Sequence, residues 1–364
     1  MQTEIPCILM RGGTSKGLYF LASDLPSDQE KIRDVLLAAM GSPDERQIDG
    51  MGGGHPLTSK VAIVSKSLQP DADVDYLFMQ VAVDKAEVSS SQNCGNLLAG
   101  VGAFAIETGL IDACEGSTDV RIRMLNTGSV TTSNVITQAG KVIYEGDAKI
   151  DGVPGTAAPV NLYFNDIAGS SCGSLWPTGS PVDLINGFRA SCIDNGMPVV
   201  ILAASEFGKS GYETPDELES DLALKDLIES IRLKAGKLMN LGDVSKKTVP
   251  KMCLVAPARH GGLISTRNFI PHRVHEAIGV LGAVSVASAC IIPNSVANSV
   301  SNADLSPGKH TIDVEHPTGF FTVEITSEKS VDGTTRIISS ALLRTARKIM
   351  QGFVFIPSTV WKPN

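Results

Sequence analysis

The chain has 364 residues, 43% of them hydrophobic and 19% charged, with a net charge of −8. A chain of this size buries roughly three quarters of its unfolded surface, enough for one large or two ordinary domains. The acidic balance argues against a nucleic-acid partner, which needs a basic face, so any polyanionic ligand has to be held by a local pocket.

Short β-type runs at 60–64, 76–83, 120–125, 129–135, 142–144 and 160–164 alternate with turn signals, which predicts a β-rich α+β fold. Helices are predicted over 29–40, after Pro26-Ser27-Asp28, and over 96–108, ending at Gly109. Further helices are predicted over 215–219, 224–239, 282–289 and 340–351, the last ending at Gly352. Two of these segments, 95–106 and 279–289, are apolar and built from small residues, one in each half of the chain. Each half also carries a Gly- or Asn-bearing turn near its first strand, Arg11-Gly12-Gly13-Thr14-Ser15-Lys16-Gly17 and Asp194-Asn195-Gly196-Met197-Pro198. An internal duplication is therefore expected. The division is drawn in the Pro-, Gly-, Ser- and Asp-rich stretch 177–187. That gives a first lobe 1–184, a second lobe 185–351, and a C-terminal strand and tail 352–364 returning to the first lobe. Small residues suit a helix wrapped closely by a mixed sheet, and two such lobes would enclose a cleft with a helix N-terminus on each side.

Seven scattered cysteines without a Cys-x-x-Cys pair read as reduced thiols of a cytoplasmic protein. Neither a secretion signal nor a bilayer-spanning run is expected from the residues present. His272 and His275 stand three apart with no ligand cluster to complete a set, so no metal is expected.

Asn93-Cys94-Gly95-Asn96 opens the 96–108 segment. A thiol at a helix N-terminus is biased towards thiolate, and the same unpaired backbone N–H groups bind a carboxylate. The bland reading of Cys94 is a small buried cap. A glycine-rich loop, Gln47-Ile48-Asp49-Gly50-Met51-Gly52-Gly53-Gly54, leads through His55-Pro56-Leu57-Thr58-Ser59 to Lys60. There Val61 and Ile63 partly desolvate the amine, a setting for a general base; an ordinary strand-end lysine is the alternative. The 11–17 turn offers backbone N–H groups, two hydroxyls, Arg11 and Lys16, a composition suited to carboxylate recognition, though a solvated hairpin has the same composition. It matches no nucleotide-loop pattern. In the second half, Arg267, His272 and Arg273 precede the second small-residue helix and either neutralise a polyanion or lie on the surface. Arg344-Thr345-Ala346-Arg347 reads as a solvated helix face.

Taken in order, Arg11–Gly17, Gln47–Gly53, Thr58-Ser59-Lys60, Asn93–Asn96, His316-Pro317-Thr318-Gly319 and Arg344–Arg347 resemble the PrpF-like family of aconitate and methylaconitate isomerases, nearly the whole chain through. Ile5-Pro6-Cys7, Asp73-Val74-Asp75-Tyr76, Asp151-Gly152-Val153-Pro154-Gly155 and Cys192–Pro198 look most like its 4-oxalomesaconate tautomerase branch, which serves aromatic-acid breakdown. The resemblance implies two diaminopimelate-epimerase-like lobes with the active site in the cleft between them, and proton transfer without a cofactor. Lys60 and Cys94 would be the acid/base pair. Arg11, Thr14, Ser15, Lys16, Met51, Gly52, Ser59, Asn93, Gly95, Asn96, Arg267, His272 and Gly282 would meet a small polycarboxylate substrate. No nucleic acid or membrane is implied as a partner, and the chain leaves room for a homodimer. Diaminopimelate epimerases carry a second thiol at the second-half helix; here 277–283 has no cysteine and Cys290 comes too late, so a two-thiol racemisation is not expected.

Overall fold

More residues lie in strands than in helices, as the density of short β-type runs predicts. The computed structural model describes all residues except 91–93, 165–166, 271–272, 305, 331–332 and 364. Two units emerge, Met1–Tyr163 with Leu343–Asn364, and Phe164–Leu342.

In the first unit β1 (Gln2–Gly12) pairs antiparallel with β2 (Ser15–Leu21), and β2 runs parallel to β3 (Lys60–Lys66). Next, β3 pairs antiparallel with β4 (Val74–Val81), which carries β5 (Val88–Ser89) antiparallel and β6 (Gly116–Met124) parallel. The sheet is completed by β7 (Val130–Gln138), β8 (Lys141–Val142) and β9 (Pro159–Phe164). Between β2 and β3 lies α1 (Gln29–Met40), with the residues predicted for it. Asp28 accepts from the Glu30 and Lys31 N–H groups at its start, and Gly41 at φ 77° ends it. Its buried side chains Val35, Leu36, Ala39 and Met40 share a core with Leu18, Phe20, Val61 and Ile63. The other face of the sheet receives α2 (Gly95–Glu107), which touches β1, β2, β3, β4, β6, β7 and β8 and is buried from Leu97 to Ile106.

The second unit repeats this pairing pattern. β10 (Asp183–Ile185) and β11 (Phe188–Asp194) form a hairpin, β11 pairs antiparallel with β12 (Pro198–Ala203), and β12 runs parallel to β13 (Lys251–Pro257). β14 (Ile264–Ile270) is antiparallel to β13 and carries β15 (Arg273–Val274) antiparallel and β16 (Gly308–His316) parallel. β17 (Gly319–Lys329) follows across the tight His316–Gly319 turn. Between β12 and β13 come α3 (Pro215–Ser220), opened by a Thr214–Glu217 capping box, and α4 (Leu222–Leu238). Leu218, Ile228, Ile231 and Ala235 from them cover Leu202, Met252, Leu254 and Phe269. α5 (Val280–Cys290) and α6 (Val296–Ser301) lie between β15 and β16, and α5 touches β11, β12, β16 and β17. Lys60 and Lys251 thus open equivalent strands, and Cys94 and Gly279 cap equivalent helices.

Two expectations need correction. The predicted 340–351 helix is the middle of β18 (Thr335–Pro357), whose first part pairs with β17 and whose last part pairs with β1. Its ends alternate between exposed and less exposed positions, and ladder pairing overrides the helix propensity of its Leu, Ala and Arg residues. Arg344 is accordingly buried in a strand, and burial pushes its guanidinium down to about 9. The boundary drawn near 184 falls inside the second unit, because Asp194 binds the preceding segment through the Ser171 and Cys172 N–H groups, each at 2.8 Å. Among the described residues no helix is long and apolar enough to cross a membrane.

Candidate active site

Lys60 opens β3, paired with Gly17 on one side and Gln80 on the other. Since Val61 and Ile63 pack towards α1, strand alternation turns Lys60 towards α2. Its Nζ lies 3.6 Å from the Cys94 Sγ and 5.1 Å from the centre of the Phe78 ring. Both side chains are 8% exposed, so amine and thiol meet out of bulk water. Cys94 is the N-cap residue of α2 in extended conformation and makes no side-chain cap bond, which leaves its thiol for the lysine. Two buried tyrosines fix this helix start: Tyr76 Oη donates to the Cys94 carbonyl at 3.4 Å and Tyr19 Oη to the Leu97 carbonyl at 2.6 Å. Burial holds both phenols well above their ordinary pKa, so they act as neutral donors.

The 11–17 turn docks on the same helix end. Asn96 Oδ1 accepts from the Thr14 N–H at 3.4 Å, and its Nδ2 donates to Thr14 Oγ1 at 3.1 Å. Gly95 is the first residue of α2. Ser15 is buried, and among the described residues its Oγ has no hydrogen-bond partner. Lys16 is half-buried and pairs across the strand with Arg11. Arg11 Nη1 donates to the Gly13 carbonyl at 2.9 Å and to both the carbonyl and the hydroxyl of Thr345 at 3.0 Å, so this arm braces β1 against β18.

The glycine-rich loop before Lys60 is organised by Gln47, which sequence reasoning named only as the start of the run. It is 1% exposed. Its Oε1 accepts from the Gly54 N–H at 2.9 Å and the Ser59 hydroxyl at 2.6 Å, while Nε2 donates to Ser42 Oγ at 2.9 Å. Ser59 Oγ also reaches the His55 carbonyl at 2.8 Å, so this hydroxyl serves the loop. Gly52 lies so close to the Gln47 amide that a Cβ there would overlap it. Met51 packs against the core under α1. Phe78 also went unnamed; its place beside Lys60 depends on the β3–β4 register, which no local signal encodes.

In the second unit Gly282 lies buried in the first turn of α5. Arg267 is in register with Leu254, whose side chain packs under α3 and α4, so Arg267 projects from the sheet face opposite α5. Asn93 and His272 lie outside the described residues. Burial raises the remaining buried thiols, Cys7 to about 11, Cys172, Cys192 and Cys290 to about 12, and Cys253 likewise upward, which disfavours their thiolates.

Such a paired amine and thiol at a helix mouth, on a β-rich scaffold whose two units share a strand-pairing pattern, is a candidate acid–base site. The PrpF protein family matches residues 2–357, and the chain belongs to that family. It is 58% identical over 351 residues to the (4E)-oxalomesaconate Delta-isomerase of Novosphingobium sp. (strain KA1), covering 96% of this chain and 97% of the relative. It is 55% identical over 360 residues to the 4-oxalomesaconate tautomerase of Pseudomonas putida, covering 99% and 98%. The crystal structure of a methylitaconate-delta-isomerase superposes with a TM-score of 0.86 at 36% identity, over 99% of this chain and 97% of the other. A probable proline racemase, at 11% identity and a TM-score of 0.51 over 96% and 92%, shares the fold.

Proposed function

We propose that this chain is a cofactor-independent isomerase that moves a proton along an allylic or keto–enol system of an unsaturated di- or tricarboxylic keto acid, with 4-oxalomesaconate as the substrate. The observation that carries the reading is the 3.6 Å approach of Lys60 Nζ to Cys94 Sγ at the start of α2. In the proposed mechanism Lys60 takes a proton from the carbon next to a carbonyl or carboxylate. The resulting dienolate rests against the N–H groups that open α2, whose dipole favours negative charge there. Lys60, or Cys94 in its place, returns the proton at the far carbon. Asn96 and Thr14, joined to each other, hold the turn that shapes the entrance, with Ser15 Oγ a spare donor beside it. The finer features, a sheet curled round each central helix and a cytoplasmic place in aromatic-acid breakdown, belong to the same reading.

The names of the 58% and 55% identical relatives favour oxalomesaconate. A second reading, an aconitate or methylaconitate isomerase, draws on a 35% identical 2-methyl-aconitate isomerase from Shewanella oneidensis. Incubating the protein with each acid and following the ultraviolet change as conjugation shifts separates them. A response to trans-aconitate with none to oxalomesaconate reverses the order. Solvent deuterium entering the substrate, and lost in Lys60→Ala, excludes a carboxylate-binding accessory protein without chemistry.

A further inference from the structure

We infer that the second unit holds a binding pocket for a small oxyanion on the sheet face opposite α5. A cavity of about 320 Å³ opens there, lined by Tyr212, Arg259, His260, Arg267, Glu315 and His316 among others. That volume is at the lower end of small-ligand sites.

The argument rests on the charge arrangement. Arg267 is 7% exposed and sits at the cavity wall. Its Nε donates to the Glu213 carbonyl at 2.5 Å and its Nη1 to the Thr266 carbonyl at 2.8 Å. Among the described residues Nη2 has no hydrogen bond, and no carboxylate pairs with this buried cation. The Glu213 and Glu315 carboxylates act on this guanidinium through space without bonding to it, so its Nη2 keeps an open donor at the cavity wall that an anionic oxygen would complete. Arg259 brings a second guanidinium, stacked 3.4 Å from the centre of the Tyr212 ring, which fixes its plane and leaves its N–H edge available.

Two carboxylates lie near, and both are committed elsewhere. Glu315 accepts from the Arg259, His260 and Gly262 N–H groups at 2.9, 2.6 and 3.0 Å. Glu213 accepts from the Ser210 N–H and hydroxyl and from the Gly211 N–H at 2.7, 2.9 and 3.0 Å. Backbone amides thus satisfy the anions while the two arginines keep donors open. Planar forks of this kind match carboxylate or phosphate oxygens. The pocket goes beyond the isomerase reading and does not depend on it.

Isothermal titration calorimetry of the full chain with malonate, and separately with inorganic phosphate, tests the assignment. We expect binding of at least one of them that survives Lys60→Ala, weakens tenfold or more in Arg267→Met, and weakens several-fold in Arg259→Ala. The tighter of the two anions identifies the oxyanion geometry. Binding that is absent in Lys60→Ala, or unchanged in both arginine variants, overturns the proposal. Arg259 is exposed, so if Arg267→Met fails to fold, Arg259→Ala alone decides. Deuterium exchange into substrate is read separately, so loss of the oxyanion site leaves the isomerase reading standing.

Discussion

Lys60 and Cys94, 34 residues apart in sequence, meet at 3.6 Å because β3 starts and α2 starts at the same end of the first unit. The strand directs the amine and the helix cap directs the thiol, so neither depends on a flexible loop for its aim. If the lysine alone shuttles the proton, Lys60→Ala lowers the rate by about 10²–10⁴-fold, the usual worth of a positioned acid/base group. Cys94→Ala then costs less. Lys60→Arg keeps the charge but not the base, and stays inactive. Single-turnover deuterium incorporation compares all three, and equal total losses for Lys60→Ala and Cys94→Ala point to two obligatory groups.

Gln47 is the keystone of the loop that delivers Lys60. Gln47→Leu strands the Gly54 N–H without its acceptor and leaves the Ser59 hydroxyl only the His55 carbonyl. The expected loss is roughly 1–3 kcal/mol of stability, read from urea unfolding, together with a fall in kcat. Gln47→Glu keeps both acceptor contacts and should recover much of the stability. Similar stability in Leu and Glu variants would mean the loop holds itself.

Gly17 faces the Lys60 carbonyl across the parallel β2–β3 pair, so closely that a Cβ would overlap it. Gly17→Ala therefore has to push two backbones apart, at a cost of about 1–3 kcal/mol. The strain falls on Lys60, the proposed base and the first residue of β3. We expect kcat to drop while KM stays near the wild-type value; an unchanged kcat would show that the strand yields elsewhere.

A pH-dependent contribution comes from Asp75, paired in register with Arg123 and bound to it at 2.7 and 2.8 Å. The hydrogen bonds from Arg123 hold the Asp75 carboxyl below its ordinary 3.8. A lowered carboxyl stabilises the fold above its unfolded value and loses that contribution as pH falls through the folded value. Arg123→Met should thus unfold at lower urea than the parent at neutral pH, with the two curves converging in acid. A constant gap across that range would rule out the ion pair as the cause.

Much of the fold was legible where local chemistry and tertiary packing agree. Asp28 and Gly41 bracket α1 in sequence and in space, and the small residues after Cys94 do form a helix buried on all sides. The 340–351 stretch misled because Leu, Ala and Arg favour helices, while its actual partners, β1 and β17, are contributed by distant sequence. The candidate site divides the same way. Glycine density flagged the loop before Lys60, and the helix cap flagged Cys94. Phe78, Gln47 and the two tyrosines act through register and side-chain hydrogen bonds, which have no short-range signature. Arg267 precedes the second helix in sequence yet points to the opposite sheet face, since strand alternation decides its side.

The repeated pairing pattern gives this molecule matched lysines, Lys60 and Lys251, but one sulfur where the repeat offers two, because Gly279 stands where Cys94 has its counterpart. Burial brings the Lys251 amine down to about 8, and the helix N-cap equivalent to Cys94 is Gly279, which has no side chain to meet it. On the proposed mechanism, such lopsidedness makes the rearrangement suprafacial: hydrogen leaves and re-enters through a single flank of the π system.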